Sequence, residues 1–392
     1  MVKPFQFSRL PEIHFKSGII AELPSIVYRY GNKILLVTGK SSFLHSGNAI
    51  KLFQDFDEKG IEFNILSVPG EPSPEIIDNA TKMFKSGGIN LVVAIGGGSV
   101  IDAGKAISAM MNRSESVVEF LEGVGNKVHP GTKLPFIAIP TTSGTGSEAT
   151  KNAVISSIGK SGFKRSLRHD NFVPDIALID PELTLNCPKE ITSASGMDCF
   201  TQLTEAYLSV KSNEYTDALA LEGFKAIKTS LTRAYKNGED IEARAGMSFA
   251  ALTSGICLAN AGLGVVHGFA SSLGGMYNIP HGLICATLMA KSNEINIREL
   301  RKNGNNPAAL KKYAILGELF LDNGGNADNY NIDGFVSYLH KLTDDMELTS
   351  LRSSGMEEKD IDIVCSQTEI KNNPVKLTQE NLAEILFKSL QK

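Results

Sequence analysis

Residues 91–102 read LVVAIGGGSVID, in which an uninterrupted apolar run leads into three glycines and then into a helical pattern. A continuous apolar run is typical of a parallel strand that is covered on both faces. Gly97 and Gly98 let the backbone approach a ligand closely, and the N-terminus of the following helix offers unpaired N–H groups. Ser99 could cap this helix or bind a phosphate, and Asp102 lies in its first turn. The stretch predicts a pyrophosphate-binding turn. A tight strand–helix turn without a ligand could have the same sequence, and the glycine spacing differs from the GxGxxG fingerprint.

Strand-like and helix-like segments alternate on both sides of this stretch. The predicted strands are Lys33–Thr38, Phe63–Val68, Leu91–Ile95, Phe136–Ile139 and Ile176–Ile179. This βαβ rhythm predicts a mostly parallel, doubly wound sheet over residues 1–185. Helical periodicity without convincing strands then predicts a helical domain over 186–392, with helices at Ser195–Val210, Tyr215–Asn237, Asp240–Asn260, Pro307–Phe320 and Gln379–Leu390.

The composition is that of an ordinary globular protein and argues against two classes of partner, nucleic acids and anionic membranes. With a net charge of −4 and 21% charged residues, the chain shows no basic excess that would indicate nucleic acid or an anionic membrane. The five cysteines are scattered and form no CxxC pair, which predicts reduced thiols. The opening residues MVKPFQFSRLPEIHF contain no apolar h-region, so we expect no signal peptide and a cytoplasmic location.

Residues 245–290 contain no Asp, Glu, Lys or Arg, which raises the question of a membrane span. The segment exceeds the roughly 20 residues that cross a bilayer. Ser, Asn, Gly, Pro and His recur through it, however, and no run is uniformly apolar. The composition therefore favours buried helices of a protein core, with no membrane as a partner.

A second glycine-containing loop, PTTSGTGSE at residues 140–148, follows another predicted strand. Thr141, Thr142, Thr145 and Ser147 are among its five hydroxyl residues, and two glycines make it adaptable. Such a loop could wrap a ribose or a nicotinamide, or it could simply be solvated. Its place at the carboxyl end of a parallel strand favours ligand binding.

Two histidines in the charge-free segment are candidate metal ligands. Asp198 and Gln202 lie four apart on a predicted helix, His267 and Ser271 have the same spacing, and His281 follows in a turn. Buried imidazoles need a partner, which could be a divalent metal or a hydrogen-bonding core. One carboxylate and two imidazoles, with an optional fourth ligand, would suit Zn²⁺ or Fe²⁺ with an open position.

Taken together, these motifs resemble the iron-containing (group III) alcohol dehydrogenase family along nearly the whole chain. The matching motifs are GGGSVID (96–102), IPTTSGTGSEAT (139–150), IDPELT (179–184), SGMD (195–198), GLGVVHG (262–268) and IPHG (279–282). The resemblance implies a dinucleotide-binding α/β domain, a helical domain, and a metal in the cleft between them, in a dehydroquinate synthase-like architecture. It also implies a dimer or a higher homo-oligomer.

The resemblance assigns roles to individual residues. Asp198, His267 and His281 fall on metal-ligand positions of the family. The positions that contact the cofactor are occupied by Gly97, Gly98, Ser99, Thr141, Thr142 and Lys164.

Two positions depart from the family pattern. Gln202 replaces a histidine ligand, and a neutral amide oxygen binds zinc or ferrous iron more weakly than imidazole does. We therefore expect Asp198, His267 and His281 to bind the metal, with Gln202 or water as the fourth ligand. Ser271 stands where the family has a second histidine near the nicotinamide. Ser271 is therefore the candidate catalytic residue, and it could pass a proton only as part of a relay of hydroxyl groups or water.

The end of the first strand bears on the choice between NAD and NADP. Family members with Asp there favour NAD, whereas this chain has Gly39, followed by Lys40 and Ser41. These residues leave room for a 2′-phosphate and offer it a cation, so NADP is slightly favoured and NAD is also accommodated.

The predicted function is metal-dependent hydride transfer between a nicotinamide cofactor and an alcohol or aldehyde, with iron and zinc both open. The two lost histidines suggest a polar substrate, for example a sugar acid as in the 3-deoxy-manno-octulosonate 8-oxidase branch. Two other classes stay open: a lyase-like relative of dehydroquinate synthase, and a nucleotide-binding protein with a degenerate, non-catalytic metal site.

Overall fold

A parallel sheet organises the first part of the chain. The structure is a computed structural model that describes residues 2, 4–159, 162–321 and 327–391. The described strands are β1 (Glu12–Phe15), β2 (Lys33–Thr38), β3 (Glu62–Ser67), β4 (Leu91–Gly96), β5 (Phe136–Pro140), β6 (Asn152–Ser157), β7 (Phe163–Arg168) and β8 (Ile176–Ile179). Six of them form one sheet in the order β1-β8-β5-β4-β2-β3, with every neighbouring pair parallel.

The described helices begin with four that belong to the sheet region: α1 (Leu23–Tyr28), α2 (Gly47–Glu58), α3 (Pro74–Phe84) and α4 (Gly98–Met110). Residues of α1 and α2 pack on one face of the sheet, and residues of α3 and α4 pack on the other. The inner strands β2, β4, β5 and β8 are therefore buried on both faces, which is why they are apolar without alternation, whereas the edge strands β1 and β3 are largely exposed.

The order of the strands creates a crevice at one edge of the sheet. From β2 the chain moves outward to β3, and β4, β5 and β8 then follow on the other side of β2. The order therefore reverses between β2 and β4, where Thr38 pairs with Ile95. Ligands of open α/β sheets bind outside the carboxyl ends of the strands at such a point. Gly39 and the glycines after Ile95 lie at this crevice.

Helices make up the second part of the chain. They are α5 (Lys189–Leu208), α6 (Glu214–Lys236), α7 (Ile241–Ala261), α8 (Val265–Met276), α9 (His281–Asn303), α10 (Pro307–Leu321), α11 (Asp328–Asp345), α12 (Ile361–Gln367) and α13 (Gln379–Leu390). Their shared core includes a cluster of aromatic rings from α5, α6, α10 and α11, namely Phe200, Phe224, Phe320 and Phe335.

The predicted fold class is confirmed, and the five predicted strands are found with ends shifted by at most one residue. Asn306 caps α10, since its side chain accepts a hydrogen bond from the Ala309 amide at 3.1 Å. The helix predicted to start at Ser195 instead starts at Lys189, directly after Pro188. The predicted domain boundary at residue 185 falls between β8 and α5, and it stays a prediction.

Three strands escaped the sequence analysis. The short edge strand β1 pairs with β8 through EIHF, which is too brief to show a pattern. Strands β6 and β7 form an antiparallel pair, and β7 reads FKRSLR, with too many charges to resemble a buried strand. This pair packs on α4 through Ala153, Ile155 and Leu167. It reaches the helical part of the chain, where Gly275 of α8 lies close to Phe163.

The charge-free segment forms α7, α8 and the start of α9. In the described part of the chain, no single helix is long and apolar enough to cross a membrane. The pair α7 and α8 reaches that threshold together by length and composition, but the two helices are bent by 98° at the break between them.

Candidate active site

A cavity of about 520 Å³ lies where the sheet region, the β6–β7 pair and the helical region meet. Many of the residues singled out from the sequence line it. They are Gly98, Ser99, Asp102, Thr145, Ser147, Lys164, Gln202, His267, Ser271 and His281. Segments far apart in sequence thus contribute to one cavity, as an active site between two structural units requires.

The three predicted metal ligands lie together beside this cavity. Nε2 of His267 is 3.4 Å from Oδ1 of Asp198, and Nε2 of His281 is 3.7 Å from the same oxygen. Cys285 joins them, and one potential ligand atom from each of the four residues lies within 4.8 Å of all the others. Asp198 comes from the middle of α5, His267 from the first turn of α8, and His281 opens α9.

These residues fit a divalent cation by their chemistry and by an unsatisfied atom. Oδ1 of Asp198 is buried and receives no hydrogen bond from the described residues. A buried carboxylate oxygen without a donor is costly, and a cation would satisfy it. Carboxylate and imidazole are ligands of zinc and of ferrous iron alike.

A carboxylate behind His267 fixes the orientation of its ring. Oε2 of Glu205 lies 2.7 Å from Nδ1 of His267, and Oε1 accepts a hydrogen bond from the Val266 amide at 2.6 Å. With Nδ1 bonded to a carboxylate, Nε2 is the nitrogen that faces Asp198. The sequence analysis missed Glu205, although its position two helical turns after Asp198 places it on the same face of α5.

The charges of the cluster balance one another. Burial alone raises the pKa of Asp198, but the imidazoles of His281 and His267 outweigh it and lower that pKa to about 2. Burial opposes protonation of His267, yet the neighbouring Cys285, Asp198 and Glu205 raise its pKa well above the usual value. Burial, aided by Lys164, lowers the pKa of His281 to about 4. The lowered pKa of Asp198 and the raised pKa of His267 both show that a positive charge beside the Asp198 carboxylate is favoured, and a divalent cation can supply that charge.

Gln202 lies beside the cluster, and its amide group is engaged elsewhere. Its Nε2 donates to the carbonyl of Thr145 at 3.0 Å and to Oγ of Ser254 at 2.8 Å. Both amide hydrogens are therefore used to join the 140–148 loop to α5 and α7. Only the oxygen is left to bind a metal, so Gln202 stays a predicted ligand through that atom.

Ser271 has a cationic neighbour that the sequence did not reveal. Its hydroxyl donates to the carbonyl of His267 at 2.9 Å. Nζ of Lys371 lies 3.4 Å from the Ser271 oxygen and donates to the same carbonyl at 3.1 Å. The Lys371 side chain starts at the surface and its ammonium reaches the cavity, where burial lowers its pKa. Lys371 is 100 residues from Ser271, so no local spacing could have linked them.

The glycine turn and the 140–148 loop are packed against each other. A Cβ on Gly98 would lie 2.7 Å from Oγ1 of Thr145, and one on Gly97 would lie 3.3 Å from Oγ1 of Thr142. The amide of Thr141 also bonds to the carbonyl of Gly96 at 3.0 Å. This close approach explains the need for glycine and leaves the N-terminus of α4 open to the cavity.

Three of the predicted cofactor residues make contacts within the protein. Oδ2 of Asp102 accepts a hydrogen bond from the Val154 amide at 3.0 Å, which holds β6 on α4. Ser147 lies next to Thr145, with their hydroxyls 3.1 Å apart. Nζ of Lys164 donates to Glu71 at 3.1 Å. All three line the cavity, and their contact with a cofactor stays a prediction.

Gly39, Lys40 and Ser41 lie apart from the metal cluster, at the carboxyl end of β2. The nearest atom to a Cβ on Gly39 would be Cγ2 of Val100 at 3.9 Å, so the position has space. Lys40 and Ser41 are exposed. They flank the crevice at the reversal of strand order, where an adenosine ribose would lie in a doubly wound sheet.

Known proteins match the chain from end to end. Residues 11–181 match the family described as iron-containing alcohol dehydrogenase, and 192–390 match the C-terminal region of the same family. An NAD-dependent methanol dehydrogenase of Bacillus methanolicus is 31% identical over 95% of this chain and 96% of its own. An NADPH-dependent butanol dehydrogenase of Clostridium saccharobutylicum is 29% identical over 91% of this chain and 88% of its own.

A solved structure of 1,3-propanediol oxidoreductase is also similar, with a TM-score of 0.87 and 27% identity over 99% of this chain and 100% of that one. The two family regions together cover nearly the whole chain, and the similar structure has the same fold. The chain belongs to the iron-containing alcohol dehydrogenase family.

Proposed function

We propose that this protein is a metal-dependent, NAD(P)-linked oxidoreductase that interconverts an alcohol and an aldehyde on a substrate carrying an anionic group, such as a sugar acid. One observation carries the proposal: Asp198, His267 and His281 lie beside a cavity that also holds the N-terminus of α4 and the ammonium of Lys371. The residues proposed to bind a metal and a nucleotide therefore converge with a cationic side chain at one cavity.

Each group has a part in this reaction. A divalent ion, iron or zinc, held by Asp198, His267 and His281 supplies Lewis-acid chemistry toward the substrate oxygen. Gly98 and Ser99 at the start of α4 bind the cofactor pyrophosphate through backbone N–H groups and a hydroxyl. Glu205 keeps His267 in the ring orientation that presents Nε2 to the site.

Ser271 and Lys371 provide a path for the proton. The Ser271 hydroxyl rotates from the His267 carbonyl toward the cavity to pass a proton, and Lys371 is near enough to exchange with it. Because burial lowers the pKa of Lys371, its ammonium releases a proton more readily than a solvated lysine does. A hydroxyl relay thus replaces the histidine that the family has at this position.

The anionic group is proposed from the charges around the cavity. The ammonium of Lys371 has a carbonyl and a hydroxyl as its hydrogen-bond acceptors, and neither carries a charge. Arg165 and Arg168 of β7 line the same cavity, each with a partly exposed ion pair to a glutamate. Arginine binds carboxylates in bidentate fashion, and such exposed pairs exchange partners at little cost.

Cofactor preference, oligomeric state and location are proposed from the sequence and from the residues at the end of β2. Gly39 with Lys40 favours NADP over NAD, since the position has space and a nearby cation. The relatives carry names with either cofactor, so both are to be assayed. We also propose a homodimer or higher homo-oligomer in the cytoplasm.

The test is turnover by the metal-reconstituted protein. Hydroxy acids, including sugar acids, and neutral alcohols of similar size are assayed with NAD⁺ and NADP⁺. We expect a higher kcat/KM for the acids. Lys371→Met should lower kcat for acids and neutral alcohols alike, because the proton path is shared, and should raise KM for the acids alone. Lys376→Met, at an exposed lysine nearby, is the matched control. Equal rates with acids and alcohols would overturn the anionic substrate.

A nucleotide-binding protein without catalysis is the second candidate. The observation in its favour is Gln202, whose amide hydrogens serve structural hydrogen bonds where the family has a histidine ligand. Elemental analysis after reconstitution separates the two: bound metal with turnover supports the oxidoreductase, and nucleotide binding without metal supports the alternative.

A further inference from the structure

We propose that Cys285 is the fourth protein ligand of the metal, through its thiolate, and that the resulting Asp198–His267–His281–Cys285 site selects zinc over ferrous iron. This inference rests on the metal site of the proposed function and adds a ligand to it. The sequence analysis treated all five cysteines alike, as reduced thiols.

Four potential ligand atoms lie close together in the cluster. Sγ of Cys285 lies 3.8 Å from Nε2 of His267 and 3.7 Å from Nε2 of His281. Those two nitrogens lie 3.4 and 3.7 Å from Oδ1 of Asp198. A tetrahedral zinc with ligand distances of roughly 2.0–2.3 Å has ligand–ligand edges of about 3.3–3.6 Å. These four edges are close to those of a zinc tetrahedron, and the remaining two, between the histidines and between Asp198 and Cys285, are no longer than 4.8 Å.

Helix α9 directs the Cys285 thiol toward the cluster. His281 is the first residue of α9 and Cys285 follows one turn later, so both lie on one face of the helix. Helical side chains lean toward the N-terminus of their helix, which directs Sγ of Cys285 back toward His281. Cys285 is fully buried, so its sulfur faces the cluster and not solvent.

Gln202, where the family has a histidine ligand, is held by hydrogen bonds to its neighbours. Both amide hydrogens of Gln202 are donated to Thr145 and Ser254, which ties this side chain to its neighbours. A neutral amide oxygen is a poor ligand beside a thiolate. Cys285 approaches the cluster from α9, on a different helix from Gln202, and completes a set of four ligands. The substrate oxygen would then bind as a fifth ligand, a coordination number that catalytic zinc reaches during reaction.

The ligand set determines which metal is preferred. Carboxylate and imidazole accept both zinc and ferrous iron, whereas a soft thiolate favours zinc. One carboxylate and one thiolate also neutralise the two charges of the ion within a buried site. The chain would then be a zinc enzyme within a family described as iron-containing.

The decisive measurement is X-ray absorption of the zinc-loaded natural protein. We expect one sulfur at about 2.3 Å from zinc, with nitrogen and oxygen at shorter distance. The cobalt-substituted protein should show a sulfur-to-cobalt charge-transfer band. Neither readout depends on activity or on the folding of a variant.

Variants locate the sulfur. Cys285→Ser should remove the sulfur shell and the charge-transfer band, and lower zinc affinity by at least roughly tenfold relative to ferrous iron in chelator competition. Cys257→Ser, at a buried cysteine of α7 outside the cluster, should retain both signals. Retention of the band in Cys285→Ser would overturn the assignment.

The outcomes separate this inference from the function on which it rests. Zinc bound by nitrogen and oxygen alone would overturn Cys285 as a ligand and leave the proposed oxidoreductase in place, with Gln202 or water as the fourth ligand. Absence of zinc and iron after reconstitution would overturn both. A sulfur ligand together with an absence of turnover would uphold Cys285 and overturn the catalytic function.

Discussion

The carboxylate of Glu205 lies 2.7 Å from Nδ1 of His267, and both side chains are buried. Glu205 also accepts a hydrogen bond from the Val266 amide, so it joins α5 to the start of α8. The ring of His267 is thereby held with Nε2 toward Asp198. A carboxylate behind a metal-binding histidine is a common arrangement, since it fixes the tautomer and raises the basicity of the ligand.

Glu205→Gln should weaken metal binding without removing a ligand. An amide is a weaker acceptor than a carboxylate, so His267 would be less firmly oriented and less basic. We expect the affinity for zinc to fall by about 10- to 100-fold, measured by chelator competition. Glu294→Gln, on α9 and outside the cluster, is the control. Unchanged affinity in Glu205→Gln would show that the ring is held by packing alone.

Gln202→His tests the position where the family has a histidine. An added imidazole should slow metal loss during dialysis against a chelator, followed by elemental analysis. The same change removes the hydrogen bonds to Thr145 and Ser254, so the metal-free variant should lose about 1–3 kcal/mol of unfolding free energy. Gln202→Leu should share the loss of stability without the gain in retention. Equal metal loss from both variants would place residue 202 outside the metal's reach.

Gly39→Asp should shift cofactor preference toward NAD. A carboxylate at the end of β2 can bind ribose hydroxyls and repels a 2′-phosphate, and a Cβ there has space. We expect the ratio of kcat/KM for NADP to that for NAD to fall by about tenfold, or about 1.4 kcal/mol. Gly47→Asp, in an open position on α2, should leave the ratio as it is. An unaltered ratio in Gly39→Asp would mean that the ribose lies elsewhere.

Glu148 should make stability depend on pH. Burial raises its pKa from 4.5 to about 7, partly offset by Lys105. A folded-state pKa above the unfolded one stabilises the fold at low pH, and this contribution is lost as pH rises through about 7. The glutamine in Glu148→Gln does not titrate, so this variant keeps its stability where the natural protein loses it. The unfolding free energy of the variant minus that of the natural protein should therefore increase by about 3 kcal/mol between about pH 4 and about pH 8.

Urea unfolding at several pH values measures this effect. Glu58→Gln, at an exposed position on α2, should follow the pH profile of the natural protein. Parallel profiles for Glu148→Gln and the natural protein would indicate that Glu148 titrates as an ordinary carboxyl.

The local sequence by itself determined the buried strands and the glycine turn, because these depend on the residues within one short segment. An apolar strand followed by glycines at 96–98 requires a close-packed turn, and the structure has that turn against Thr142 and Thr145. Strand β2 was predictable because burial on both faces demands a continuous apolar run. The sequence, with the family resemblance, also predicts Asp198, His267 and His281 as metal ligands, and the structure places their side chains together.

Only the tertiary structure decided which other side chains join these ligands. Glu205 meets His267 across 62 residues, and Lys371 meets the His267 carbonyl across 104. The hydrogen bonds of Gln202 and the contacts of Cys285 likewise depend on how α5, α7, α8 and α9 pack. A local pattern reports which face of a helix is buried, but it does not report what that face meets. That is determined by long-range packing, and in this protein the packing assembles the candidate metal site.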